Sequence, residues 1–382
     1  MTPAVEAEVR GRIGFVTLNR PQALNALSLD MVRGLYAQLL AWRDDPAIVA
    51  IAMRGTSRNG PFGAFCAGGD IRFFHEHTLR GNPQVEDFFT EEYLLDALIQ
   101  HYPKPCIACM DGITMGGGMG LAQGTRHRIV TERSQLAMPE TRIGLFPDVG
   151  GGYFLSRCPG HAGEWLALTG NTVVGADALA IGWADHYLPS ERLPDLWRQL
   201  GDIPFADTAT LAQWLQEQCP PAPKPSDDFA HALQQAGRYF ADGDATAIVQ
   251  KLEAATDDAW AQATASTLRQ RSPLMLHVVL QQVRSGRALT VAENIHRERS
   301  MVRHCFYPQH LGRTSMQSEV LEGVRALVID KDQQPRWQPQ RVEEVTPAMV
   351  DGFFVQAWPD AVHPLAVLKH GEPYLITQRE RF

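Results

Sequence analysis

Chemistry-bearing residues are concentrated in three short segments of this chain. The run Met115-Gly116-Gly117-Gly118-Met119-Gly120 is followed by Met138-Pro139-Glu140 and then by Phe146-Pro147-Asp148-Val149-Gly150-Gly151-Gly152. Three consecutive glycines after the apolar run Cys106-Ile107-Ala108-Cys109-Met110 read as a strand-to-helix turn where the backbone must come close to something. The first N–H groups of a helix lack intrahelical partners and carry partial positive charge, so such a turn can hold a negative oxygen. An earlier segment, Phe65-Cys66-Ala67-Gly68-Gly69-Asp70-Ile71, breaks a strand-like run in the same way. Two such turns can each donate one N–H to a single oxygen, the arrangement of an oxyanion hole, and Glu140 and Asp148 are close enough in sequence to share one site. This is equipment for attacking an activated carbonyl. Neither turn is followed by Gly-Lys-Ser/Thr, and no G-x-G-x-x-G unit is paired convincingly with a downstream acid, which argues against a phosphate loop or a dinucleotide fold. A lone triple-glycine turn reads as tight packing of a helix on a strand. The second turn and the two acids shift that reading toward chemistry.

The elements that must hold these residues change character near residue 190. Before it, short apolar strands are predicted over Ile13 to Leu18, Ile48 to Arg54, Cys106 to Met110 and Arg128 to Thr131, separated by turns and by a helix over Leu29 to Asp44. The first strand-like run begins near Ile13, after a short acidic start. Beyond residue 190, helical spacing covers Thr208 to Cys219, Asp227 to Phe240, Ala245 to Glu253, Asp257 to Gln270 and Pro273 to Gly286. The Pro-rich run Cys219 to Pro225 interrupts it as a linker or rigid loop would. The tail from Pro347 to Phe382 carries Trp358, Tyr374 and several apolar residues, so it is not read as disordered.

Composition excludes more than it specifies. With 382 residues and 45% hydrophobic content the chain can bury a full core, and a formal charge of −8 gives no support for a nucleic-acid partner. No apolar run approaches the length of a membrane span, and Met1 to Glu8 is neither a signal peptide nor an Arg-rich leader, so a cytoplasmic setting is expected. Six cysteines in a chain of this size form no disulfide framework. Cys106-Ile107-Ala108-Cys109 matches C-x-x-C, but in a strand the two thiols point to opposite faces and no second pair completes a zinc set. His75-Glu76-His77 lacks the four-residue spacing of a zincin helix, so no metal is expected.

Three groups of residues carry a resemblance to a known family. Asn19-Arg20-Pro21-Gln22-Ala23-Leu24-Asn25-Ala26-Leu27, the Ala67 to Ile71 turn and the Gly116 to Gly120 turn resemble the crotonase, or enoyl-CoA hydratase/isomerase, superfamily. Within it, Asp111 to Gly118, Ala137 to Thr141 with Gly144 to Phe154, and Glu322 to Asp332 are similar to the 3-hydroxyisobutyryl-CoA hydrolases. The similarity runs from about Val9 to the Val345 region. It implies an α/β fold with a crotonase-like ββα spiral core over 9–190 holding the CoA and acyl site. A helical C-terminal region over 191–345 would pack on that core, and 346–382 would form an extension of unknown role.

The resemblance also implies an activity and roles. Hydratases of this superfamily carry one glutamate four residues after the first glycine of the triple-glycine turn and a second about twenty residues on; here those positions are Gly120, which cannot move a proton, and Glu140. Asp148 matches the hydrolase pattern instead. The implied reaction is hydrolysis of a short β-hydroxyacyl-CoA thioester, 3-hydroxyisobutyryl-CoA in valine catabolism or a close analogue. The N–H groups of Gly69 and Gly117 would polarise the carbonyl, Glu140 would act as nucleophile or as base toward water, and Asp148 would bind the substrate hydroxyl and help place the water. Two carboxylates in a partly dry pocket should titrate together with at least one pKa raised. Glu92 would contribute to the acyl pocket, although without the family Glu91 and Glu92 read as helix-surface acids. Backbone around Ala23, Leu24, Ala67, Gly68, Asp70, Ile71 and Gly116 would hold the CoA ester, and Arg20 or Lys104 could meet a phosphate. No cofactor is expected beyond the coenzyme A of the substrate, no nucleic-acid or membrane partner is expected, and a homo-oligomer is an open alternative to a monomer. The competing readings are an enoyl-CoA hydratase or isomerase, disfavoured by Gly120, and a non-catalytic CoA-ester-binding member, which would need neither acid.

Overall fold

Ile13 to Leu18 are buried at every position, the signature of a strand covered on both faces, and around this strand a sheet is built. The structure is a computed structural model that describes residues 3–370. Its strands are β1 (Val5–Arg10), β2 (Ile13–Leu18), β3 (Ala50–Gly55), β4 (Ala64–Cys66), β5 (Cys106–Met110), β6 (Ile113–Met115), β7 (His127–Val130), β8 (Gln135–Ala137), β9 (Val173–Val174) and β10 (His186–Tyr187). One sheet has the order β1-β2-β3-β5-β7-β10 and is parallel except for the β1–β2 hairpin. The second has the order β4-β6-β8-β9, with β4, β6 and β8 parallel to one another. The chain alternates between the sheets through β3/β4, β5/β6 and β7/β8, which makes the repeat a spiral of two strands and a connection.

The expected strands at Ile13–Leu18 and Cys106–Met110 are observed with those bounds, and the helix over Leu29–Arg43 is capped by Ser28, whose side chain accepts the Met31 N–H. Several elements were not predicted, among them the short strands β6, β8, β9 and β10 and the first strand. The acidic start forms β1, whose Val-Glu-Ala-Glu-Val-Arg alternation suits an edge strand paired on one side only. Its charged side chains hid it from a search for apolar runs.

Two compact units can be distinguished, each assembled from separated segments. Among the described residues, the first comprises 3–69, 95–137 and 172–226 and contains both sheets. Its sheet core closes on the helix Leu193–Asp202, which buries Leu193, Leu196, Trp197 and Leu200 at helical spacing, with the Trp197 ring 4.7 Å from that of Phe15. Each such side chain contributes roughly 2 kcal/mol of apolar burial. The Pro-rich run is irregular and leads to Ser226, which is held by the Asp177 carboxylate, and the second unit resumes at Asp227.

The second unit collects residues 70–94, 138–171 and 227 onward and is helical. At its centre the helix Pro273–Gly286 is buried on nearly every face and packs against the helices Gly151–Ser156 and Ala162–Thr169. Among the described residues no strand follows His186–Tyr187, in line with the expected change to helix. Trp358 lies over the Arg299 and Arg303 guanidinium groups, so the described part of the tail is packed; Tyr374 lies outside the described residues.

In the first unit one polar side chain holds the Asn19 to Leu27 segment to the sheet. Asn25 is fully buried in a left-handed conformation; its Nδ2 donates to the carbonyls of Thr56 at 2.8 Å and Ala64 at 2.9 Å, and its Oδ1 accepts the Arg20 N–H at 2.8 Å. Asn25→Ala should cost about 2–4 kcal/mol, because three backbone groups lose their partner at once. Equilibrium urea unfolding measures this, and a loss below about 0.5 kcal/mol would mean that the segment is held by other contacts.

Candidate active site

The glycine turns meet within the first unit. Strands β4 and β6 are parallel neighbours, so the turns that follow them lie side by side. Gly68 adopts φ +101°, and a Cβ there would sit 3.1 Å from the Met115 carbonyl oxygen and 3.4 Å from the Gly117 nitrogen. Only glycine tolerates both the backbone and the approach. Gly116 is the cap and Gly117 the first residue of the helix Gly117–Gln123, so the Gly117 N–H has no intrahelical acceptor. Gly118 is different: its Cβ would strike the Cys66 carbonyl oxygen at 2.2 Å, so this glycine serves strand-to-helix packing. Leu24 joins the same cluster, since its carbonyl accepts the Ala67 N–H at 3.0 Å, Leu27 donates to the Gly68 carbonyl at 2.8 Å, and Leu27 bridges Gly69; Ala23 closes the short turn Pro21–Ala23 just before it.

The acids meet within the second unit. Glu140 opens a short 3-10 turn, Glu140–Ile143, which ends at Gly144 in a left-handed conformation. A Cβ at Gly144 would strike the backbone of Glu319 at 2.4 Å, and one at Gly323 would strike Ile143 at 2.4 Å. The Glu322 to Asp332 motif begins on the helix that buttresses the Glu140 turn, and through Arg325 it binds Glu322, Asp330 and Asp332 to itself. Glu140 and Asp148 are each 5% exposed. One Glu140 carboxylate oxygen is buried without a hydrogen-bond partner among the described residues, an expensive state that a purely structural glutamate avoids.

Burial, then the charge of Asp148, holds the Glu140 carboxyl well above its ordinary range. Asp148 is raised to about 6 by burial, against the opposing effect of the Tyr93 hydroxyl, which donates to Oδ2 at 2.7 Å. The expected coupled, raised pair is thus present. Glu92 is 2% exposed and is not a surface acid; its neighbour Glu91 is half-buried. Asp70 caps the helix Ile71–Leu79 by accepting the Phe73 N–H at 3.3 Å, and Ile71 is that helix's first residue.

Two basic candidates serve the backbone. The Lys104 ammonium donates to the carbonyls of Trp42 and Asp45 at 2.6 Å each, which commits it to structure, and Arg20 reaches the Ala26 carbonyl at 3.0 Å. Cys106 and Cys109 are both buried, and burial pushes each thiol up to about 12, far from the thiolate that metal or redox chemistry needs. Among the described residues no group of three or more His, Cys, Asp or Glu is placed to hold a metal. Sequence reasoning passed over Tyr93, Glu298 and Gln282, which surround the Asp148 loop. Tyr93 stood beside Glu92 in the sequence, whereas Glu298 and Gln282 sit in polar stretches of ordinary helices with no signal of their own.

The enoyl-CoA hydratase/isomerase family pattern matches residues 13–354. The chain belongs to this family. As a member it is 39% identical over 347 residues to the 3-hydroxyisobutyryl-CoA hydrolase, mitochondrial, of Danio rerio, covering 90% of this chain and 87% of that protein. It is 36% identical over 354 residues to the probable 3-hydroxyisobutyryl-CoA hydrolase 3 of Arabidopsis thaliana, covering 92% and 91%. Among solved structures, an enoyl-CoA hydratase from Rhodobacter sphaeroides 2.4.1 superposes with a TM-score of 0.82 at 36% identity over 93% of this chain and 98% of that one. A carnitinyl-CoA dehydratase from Mycobacterium thermoresistibile gives a TM-score of 0.83 at 32% identity over 94% and 98%. The crotonase fold and its helical C-terminal region extend along this family member as expected.

The raised carboxyls have a cost in stability. An acid whose folded pKa exceeds its unfolded value stabilises the fold below the unfolded value and loses that contribution as pH rises through the folded one. For Asp148 the window runs from 3.8 to about 6. Asp148→Asn removes this loss, so urea unfolding should show the variant gaining stability relative to wild type between pH 4 and pH 8, by about 2–3 kcal/mol at the upper end. A difference that does not change with pH would show that Asp148 is not forced to ionise in an apolar site.

Proposed function

We propose that this chain hydrolyses the thioester of a short β-hydroxyacyl-CoA, 3-hydroxyisobutyryl-CoA, to 3-hydroxyisobutyrate and coenzyme A, a step of valine catabolism. The observation that carries the reading is the buried Glu140–Asp148 pair, one oxygen of which has no partner, in a chain whose other hydratase position is the side-chain-free Gly120. The names of the curated relatives support it. The solved relatives named as a hydratase and a dehydratase favour a second reading, addition of water to or its removal from an acyl-CoA double bond. That route uses two acids at positions where this chain has Glu140 and Gly120.

The roles follow from the chemistry. The Gly69 and Gly117 N–H groups bind the thioester oxygen as it becomes an oxyanion. The Glu140 carboxylate then either attacks the carbonyl carbon, forming an anhydride as the C–S bond breaks and the thiolate leaves, or takes a proton from the water that attacks. Asp148 binds the substrate hydroxyl and orients or deprotonates the water; in the first route that water opens the anhydride and regenerates Glu140. Glu92, with Ala23, Leu24, Ala67, Gly68, Asp70, Ile71 and Gly116, contributes to holding the ester. The reaction requires no cofactor beyond the coenzyme A of the substrate. Six free cysteines, five of them buried, suit a reducing compartment, for which we propose the cytoplasm; the vertebrate relatives are named mitochondrial. Among the described residues no helix is long and apolar enough to cross a membrane.

Thiol release from 3-hydroxyisobutyryl-CoA, run beside loss of enoyl absorbance with crotonyl-CoA, separates the two readings. Fast thiol release without hydration is expected, and hydration without thiol release would overturn the hydrolase reading. Glu140→Gln should lower turnover by about 100-fold or more while retaining binding of the CoA ester, since the amide keeps the shape but neither attacks nor takes a proton. Gly117→Pro removes one oxyanion donor and should cost about 100- to 1,000-fold. A folded Gly117→Pro protein with full activity would remove Gly117 from the mechanism.

A further inference from the structure

The segment that carries Asp148 is held in an unusual conformation by groups to which no role in the reaction has yet been given. Val149, a β-branched residue, adopts φ +52°, and Gly150 follows at φ +85°. For a β-branched side chain the left-handed region is a genuine outlier, and it persists only where the surroundings enforce it. Here the enforcing group is Glu298, fully buried on the helix Val291–Phe306, whose carboxylate accepts the N–H of Gly150 through Oε2 and of Gly152 through Oε1, each at 2.8 Å. Gln282, also fully buried, donates from Nε2 to the Pro147 carbonyl at 2.7 Å and to Glu298 Oε1 at 3.1 Å. The backbone is thus gripped on both sides of Asp148, at residue 147 and at residues 150 and 152. The Asp148 side chain is gripped separately by the hydroxyl of Tyr93, itself fully buried.

Burying another acid beside Asp148 adds repulsion to an already costly site, and burial lifts Glu298 itself to about 7. No cation forms a salt bridge with it among the described residues; its partners are the two amides and Gln282. What the clamp supplies is a fixed position for one carboxyl group to within the tolerance that catalysis demands.

We propose that Tyr93 and Glu298 are the positioning residues of Asp148, Tyr93 fixing the orientation of its carboxylate and Glu298 fixing the strained backbone that presents it. The proposal rests on the hydrolase reading, in which Asp148 places the water and the substrate hydroxyl. Neither residue touches the substrate in this scheme; both act through Asp148.

The titratable groups that influence Asp148, or are influenced by it, are Tyr93, Glu140, Glu298 and Cys305. The Tyr93 hydroxyl favours the ionised carboxylate. Removing it lets Asp148 rise above about 6, so activity that needs the ionised form should be lost at higher pH than in wild type. The experiment is steady-state hydrolysis of 3-hydroxyisobutyryl-CoA across pH 4.5–8.5 by wild type, Tyr93→Phe, Glu298→Gln, Asp148→Asn and the two double variants with Asp148→Asn.

Tyr93→Phe should lower kcat about tenfold with KM within about twofold, and the acidic limb of kcat/KM should move up by about half a pH unit or more. A folded Glu298→Gln should also lower kcat at little changed KM. Each should lose most of its effect when Asp148 is already Asn. If Asp148→Asn is impaired while Tyr93→Phe keeps the wild-type kcat and limb, the positioning proposal fails and the hydrolase reading stands. If Asp148→Asn itself runs at the wild-type rate, the reading fails and takes the proposal with it. Equal losses in both backgrounds with an unmoved limb would assign Tyr93 and Glu298 a structural role and overturn the proposal. Should Glu298→Gln fail to fold, the Tyr93→Phe arm decides alone.

Discussion

Burying negative charge is the constraint around which the second unit is arranged. Glu140, Asp148 and Glu298 are each at most 5% exposed, and burial drives the carboxyl of each upward. A protein tolerates such groups when hydrogen-bond donors converge on them or when their discomfort serves a reaction. Glu298 belongs to the first case, with two backbone amides and Gln282 aimed at it. Glu140 lacks such relief, with one oxygen left without a partner among the described residues. Asp148 stands between them, raised by burial and partly relieved by Tyr93.

The rest of that unit follows from keeping these groups in place. The Glu140 turn is wedged against the helix Glu319–Val324 at two glycines, Gly144 and Gly323, where any side chain would collide with backbone. The Asp148 loop accepts a left-handed valine, a conformation that costs of order 1–3 kcal/mol and that neighbouring hydrogen bonds impose. Strain next to a raised acid is the pattern expected where geometry has been set for chemistry at some cost to stability. The first unit achieves its own arrangement by different means: parallel strands deliver two glycine turns to one place, and their backbone N–H groups need no side chain to be useful.

The relatives point in two directions, and one position helps to choose between them. The fold is shared with proteins named as a hydratase and a dehydratase, so fold does not discriminate among water-adding and thioester-cleaving members. Gly120 weighs against hydration, because the two-glutamate pattern that the resemblance implies for hydratases has a glycine here, and a glycine transfers no proton. The identity of one residue in a buried seven-residue helix thus weighs more for function than the superposition of nearly the whole chain.

The sequence by itself determined what depends on residue type and local pattern. The buried strands at Ile13–Leu18 and Cys106–Met110, the helix from Leu29, the glycine turns, the two acids and the family were all legible, because unbroken apolar runs, a Ser cap and glycine clusters act locally. Edge strand β1 was not, since a strand covered on one side carries too much charge to look like one. Glu92 looked like a surface acid and is buried, because burial depends on what packs against a helix from elsewhere in the chain. The same holds for Tyr93, Gln282 and Glu298, which come to the Asp148 loop from separations of 55, 135 and about 150 residues. The interleaving of the two units is likewise tertiary. Residue types and their short-range spacing are written in order along the chain, but pKa values, strain and hydrogen-bond grip arise from neighbours that only folding brings together.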